Sequence, residues 1–131
     1  MVYFDESFLT IFWEPEDRIV RAQWKSQVDG AGMRRGLEAG LAVITEKKAR
    51  RWLVDSTTLE MIDPADVKWV NDNWIPRAVK AGLASMAFVL AKKVVMQMSM
   101  KSFIARIDDR ELGNAYFDNV DAARQWLRGR P

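Results

Sequence analysis

Short β-forming runs alternate with helix-length amphipathic stretches along nearly the whole chain, and this alternation most constrains the fold. Residues Phe8 to Trp13 are rich in β-formers, and Glu14-Pro15-Glu16-Asp17 is turn-like. Arg18 to Trp24 alternates, with Val20, Ala22 and Trp24 on one face and Arg21 and Gln23 on the other. Together these segments predict an antiparallel hairpin. Asp29 is placed to cap a helix running to about Thr45, with Met33, Leu37, Leu41 and Ile44 on one face. Gly30, Gly32, Gly36 and Gly40 make that helix intrinsically weak, so tertiary packing must hold it.

The pattern then repeats. Arg51 to Asp55 reads as a short buried strand that stops at Ser56-Thr57-Thr58. Asp63-Pro64-Ala65-Asp66 is a helix start, with Asp63 as cap and Pro64 at the first position. This helix is expected to run to Ala81, with Gly82 as its stop and a kink at Pro76. Ser85 to Leu90 is the next strand. A helix follows with Met96, Met100, Phe103 and Ile107 on one stripe. Asn114 to Phe117 is the last strand, and Asp118 or Asn119 caps a final helix carrying Val120, Ala123 and Leu127 inward. An order of hairpin followed by helix–strand repeats implies an α/β fold. Its mixed sheet has an antiparallel hairpin first, parallel strands later and about four helices. No linker or repeat interrupts the 131 residues, so the expectation is one domain, 1–131.

Two absences exclude much chemistry. The chain has no Cys and no His, which removes disulfides, thiol and Ser-His-Asp nucleophiles, and zinc sites of the usual kind. No Asp/Glu cluster has the spacing of a known cation loop, so neither metal nor cofactor is expected. Formal net charge is only +2, and the pI near 9.0 follows from the lack of groups that titrate at mid-range. The basic run Lys47-Lys48-Ala49-Arg50-Arg51 lies where a helix should end and complements its dipole, so nucleic-acid binding is not expected. The start, Met1 to Glu6, lacks the basic and apolar regions of a signal peptide, and no stretch is long enough for a membrane span. The expectation is a cytoplasmic protein.

Several groups are candidate sites. Asp55, Ser56, Thr57 and Asp63 lie where strand carboxyl ends meet a helix start, the usual crevice of open α/β sheets. Their structural alternative is loop satisfaction and capping. Trp69 and Trp74 are five apart and cannot share one helical face closely, so one is expected in the core, while the other either packs there as well or lines a pocket or interface. Gly30 to Gly36 fails the dinucleotide fingerprint, because five residues separate it from the preceding strand and its third glycine comes late. Close helix packing is the expectation there. Met86, Met96, Met98 and Met100 offer an adaptable apolar surface. Lys92 and Tyr116 lie near strand ends without an evident reaction partner.

The stretch Trp52-Leu53-Val54-Asp55, with Ile62-Asp63, Trp69-Val70 and Trp74-Ile75-Pro76-Arg77, resembles the STAS/SEC14-like family of small bacterial proteins. That family is related in fold to anti-anti-sigma factors and to lipid-exchanging SEC14 domains. The resemblance implies a right-handed β-α superhelix and a binding or regulatory module. It also adds Arg77 to the candidate ligand or partner residues. Anti-anti-sigma factors carry Asp-Ser-Ser-Gly at a helix start and are phosphorylated on the second Ser. Here Asp63 is followed by Pro64, Ala65 and Asp66, so the phosphorylatable hydroxyl is missing. The leading expectation is a small non-enzymatic regulatory or protein-interaction domain. A homodimer through the N-terminal hairpin is expected, because Phe8, Thr10 and Phe12 on one face and Leu9, Ile11 and Trp13 on the other make both faces of an edge element largely apolar. The alternative is a carrier for a small amphipathic or lipid-like molecule.

Overall fold

A computed structural model describes residues 1–131. Six strands, β1 (Val2–Glu6), β2 (Leu9–Glu14), β3 (Ile19–Trp24), β4 (Arg51–Asp55), β5 (Ser85–Val89) and β6 (Gly113–Phe117), form one sheet in the order of the sequence. β1, β2 and β3 pair antiparallel, and β3 to β6 pair parallel. The helices are α1 (Gly30–Lys47), α4 (Val94–Ile104), α5 (Val120–Arg128) and one long rod between β4 and β5. That rod consists of α2 (Pro64–Trp69), a π-helical turn (Val70–Trp74) and α3 (Ile75–Lys80). Because strand order follows chain order, the three crossovers step the same way. Crossovers of one hand then put α1, the long rod and α4 on one face. α5 follows the last strand and lies on the other face, against β4, β5 and β6.

Strand alternation divides the core accordingly. Leu9, Ile11, Val20, Ala22, Trp52, Val54, Met86 and Phe88 face the three crossover helices. Ile19, Leu53, Ala87 and Val89 face Ala123 and Leu127 of α5. The caps act as the sequence predicts. Asp29 accepts from Gly32 N at 2.7 Å, Asp63 from Ala65 N at 2.8 Å, and Asn119, not Asp118, from Ala122 N at 2.8 Å. Gly82 stops the long rod with φ of +114°, a left-handed conformation that glycine adopts without strain.

Three expectations need correction. β1 is a strand the sequence pattern did not announce. It makes β2 an interior strand paired on both sides, so the edge of the sheet is β1 and not Phe8 to Trp13. Leu41 is only partly covered, and the inward face of α1 is Met33, Gly36, Leu37, Gly40, Val43 and Ile44. A side chain at Gly36 would run into Leu9, and one at Gly40 into Trp52. These glycines therefore let α1 lie close on the sheet, as the close-packing reading expects. The helix before β6 ends at Ile104, and Ile107 is buried from the following turn. Pro76 has no N–H to give Asp72, and the π turn absorbs the mismatch as Ile75 N donates to Val70 O, five residues back.

A charged clamp joins α5 to the β2 end of the sheet. Glu14 accepts from Arg21 Nε at 2.6 Å and from Arg124 Nε and Nη2 at 3.0 and 2.9 Å. Burial works to raise the Glu14 pKa, but the hydrogen bonds from Arg124 and Arg21 outweigh it and hold the carboxyl below the usual glutamate range. A pKa depressed by folding means the folded state binds fewer protons. The stabilisation is therefore present above the unfolded pKa, about 4.3, and is lost as pH falls through the folded value. Glu14→Gln is expected to cost about 1–3 kcal/mol at neutral pH. It should also flatten the acid limb of stability against pH, read by urea melts across the acid range. An acid limb as steep as the wild type's would show that other carboxylates carry it.

The basic run at the α1–β4 junction is structural. Arg51 donates to Asp17 O at 2.6 Å and Arg130 O at 2.7 Å, while Lys48 closes α1 in the left-handed conformation.

Candidate functional site

Between the sheet and the crossover helices lies an apolar cavity of about 90 Å³. Its floor is Trp52 and Val54 of β4 with Met86 and Phe88 of β5. Met33 and Leu37 of α1 form one wall, beside Trp74. Met96, Met100 and Phe103 of α4 with Leu59, Ile62, Val67 and Val70 complete a lining that stays partly open to solvent. Of 17 lining residues 15 are hydrophobic, so any group held there is recognised by shape and apolarity. Ser56 and Ser99 are the polar exceptions.

Local sequence explains why space remains. Gly36 and Gly40 draw α1 onto β2 and β4. The α4 backbone stays farther from its neighbours and is spaced off the sheet by methionines and Phe103. Phe103 meets Phe88 edge-on with centroids 5.9 Å apart. Unbranched, flexible Met side chains fill such gaps adaptably. Trp52 and Trp74 pack at 5.0 Å between centroids, and Trp74 Nε1 donates to Leu37 O at 2.7 Å. That bond satisfies the one polar atom of a ring that is 1% exposed.

The sequence-named residues divide between cavity and scaffold. Trp74, Met86, Met96 and Met100 line the cavity, whereas Met98 points outward. Trp69 is the partly exposed member of the Trp pair and does not line the cavity. Its ring lies beneath Arg34 and Arg77, at 5.3 and 6.0 Å. Arg77 makes a two-pronged ion pair with Glu38 that ties α3 to α1, which lowers the Glu38 pKa. Asp55 accepts from both the backbone N and the hydroxyl of Thr57, the loop-satisfying role. Ser56 is 4% exposed and borders the cavity. Lys92 is exposed, and only its backbone N is engaged, donating to Thr57 O at 3.3 Å. Tyr116 is exposed at the far strand, beneath Lys101.

The start of α2 is already occupied. Asp63 caps it, and Asp66 lies 3.5 Å from Arg34. No three acidic side chains converge as a metal-ion cage would require. No helix is long and apolar enough to cross a membrane. Of the 17 lining residues, sequence reasoning named only Ser56, Trp74, Met86, Met96 and Met100 as site candidates. Trp24, Met33, Leu37 and Phe103 on apolar faces, and Trp52, Val54 and Phe88 in strands, carried a signal of burial but none of a cavity, and Leu59, Ile62, Val67, Val70 and Ser99 carried neither. Comparison with family models, curated proteins and solved structures finds no match to this chain.

Proposed function

We propose that this chain is a non-enzymatic binding module that takes a small apolar or amphipathic molecule into the cavity between β4, β5 and α4. The observation that carries this reading is the cavity itself, with 15 hydrophobic residues among the 17 that line it. An apolar void of this kind is poorly hydrated, so a hydrocarbon group entering it displaces little bound water. The Met-rich α4 can shift outward for a longer chain without losing shape-specific contacts. The resemblance to the STAS/SEC14-like group favours the same class of role, and no catalytic step is part of it. A regulatory use follows if ligand entry displaces α4.

The test titrates the protein with a medium-chain fatty acid and an alkylbenzene, reading Trp fluorescence and thermal midpoint. Saturable quenching of Trp52 and Trp74 is expected. Stabilisation of about 2.7 kcal/mol is expected when ligand exceeds Kd roughly a hundredfold. Val70→Phe, which fills the cavity, should abolish both responses while keeping the far-UV spectrum. No saturable response from either ligand, and no ligand carried through purification in native mass spectrometry, would remove this reading.

A protein-interaction role, including a homodimer, is the second reading. It is favoured by the unpaired edge of β1, where Met1 and Val2 are 72% and 53% exposed. A strict monomer by light scattering at high concentration counts against pairing of a second copy there.

A further inference from the structure

Seven large hydrophobic side chains are exposed in this protein, and four of them cluster around the start of α4. Val94, Val95 and Met98 are 66%, 76% and 66% exposed. Met61, 69% exposed, lies on the neighbouring loop. That loop is tied to α4 by the Lys93–Glu60 ion pair at 3.2 Å and by Lys92 N donating to Thr57 O. Met96, Met100 and Ile104 already anchor the inward face of α4, so Val94, Val95 and Met98 do nothing for the core. Leaving such side chains in water is costly unless something covers them.

We propose that this end of α4 docks the domain on an anionic lipid surface. The charge pattern selects the occupant. From Lys92 to Arg106 the chain carries Lys92, Lys93, Lys101 and Arg106 and no acidic residue. Glu60 is the only acid bonded to this segment, and it is paired with Lys93. A second copy related by a two-fold axis would set these lysines against their own equivalents, which disfavours self-association through the patch. The shape is also informative. An amphipathic peptide needs a groove, whereas these residues stand on the convex outer face of a helix. An apolar tip with Lys92 and Lys93 at its base suits shallow insertion among headgroups, with these cations held at the anionic surface. The docking itself does not depend on the cavity being occupied. It would nonetheless set the roof of the cavity against a source of amphipathic molecules.

The test is co-sedimentation of the full chain with vesicles of phosphatidylcholine alone or mixed with phosphatidylglycerol, at low and moderate salt. Binding is expected to the anionic vesicles only, and to weaken as salt rises. Lys92→Glu and Lys93→Glu are each expected to lower the partition constant at least roughly fivefold. The double variant Val95→Ser, Met98→Ser should lower it at every salt concentration. Lys92, Val95 and Met98 are exposed and hold no ion pair, so unchanged thermal midpoints are expected for their variants and serve as the folding control. Wild-type protein that ignores anionic vesicles overturns the proposal. So does a wild-type dimer that the Val95→Ser, Met98→Ser variant dissociates, because the patch would then serve a second copy. Acidic-peptide binding in the absence of vesicle binding overturns it as well. Ligand uptake in free solution is read separately, so failure of docking and failure of the cavity reading are distinguishable.

Discussion

Trp52→Ala is expected to destabilise the protein by about 3–5 kcal/mol, the range for truncating a large buried aromatic. Trp52 is 1% exposed and sits on β4 between Val20 of β3 and Met86 of β5. Its outer rim fills the space that Gly40 leaves on α1, and its face packs on Trp74. Each neighbour resists collapse into the gap. Gly40 has no side chain to offer, and Trp74 is fixed by its bond to Leu37 O. The void would also join the cavity already present, so relaxation recovers little. Against a total stability of about 5–15 kcal/mol for a domain, a loss of this size removes roughly a fifth or more. Urea denaturation should show a lower midpoint with an unchanged slope. A cost under about 1 kcal/mol would mean that Trp52 does not join α1 to the sheet as described.

The parallel half of the fold was legible because its signals are local. Asp63-Pro64 and Asp29 are caps wherever they occur before amphipathic runs, and each accepts the expected backbone hydrogen bond. The hairpin's surroundings were not legible. Leu9, Ile11 and Trp13 are buried beneath α1, while Thr10 is 6% exposed on the other face. Side chains on the two faces of a strand report what lies above and below the sheet, not which strand pairs alongside, so they could not reveal the neighbour on the far side of β2. β1 supplies that neighbour. Its own sequence, ending Asp5-Glu6 and broken by an irregular register between Val2 and Phe4, carries no clean alternation.

The site was legible only in pieces. The five-residue spacing of Trp69 and Trp74 separates one core ring from one partly exposed ring, and the exposures agree. It could not say which is which, because the answer depends on the π turn between them. That turn depends on a backbone donor missing at Pro76, which sequence reads equally well as a kink. The cavity is less legible still. It is what remains when side chains from α1, β3 to β5, the long rod and α4 fail to meet, and no single segment encodes it. The methionines hinted at it, yet Met98 shares their spacing pattern only in part and faces solvent.

Phe88→Ala is expected to cost about 3–5 kcal/mol, nearer the lower figure than Trp52→Ala. The ring is 4% exposed, at the centre of the parallel sheet between Val54 and Tyr116 in register. One side of it already faces the cavity, so it has fewer atoms to lose contact with than a side chain packed all round. The loss is also unevenly distributed. Phe103 of α4 rests edge-on against Phe88, and α4 has little close backbone contact to hold it otherwise. Removing the ring should therefore loosen α4 more than α1 or α5. Amide hydrogen exchange is the discriminating measurement, because local opening is read there residue by residue. Protection from Val94 to Ile104 should fall by more than the global destabilisation explains, while β3, β4 and α5 follow the global change. The enlarged cavity should also accept bulkier alkylbenzenes than the wild type does. Uniform loss of protection across all helices would mean that α4 is held by contacts other than Phe88, and the cavity would then be no easier to open there than elsewhere.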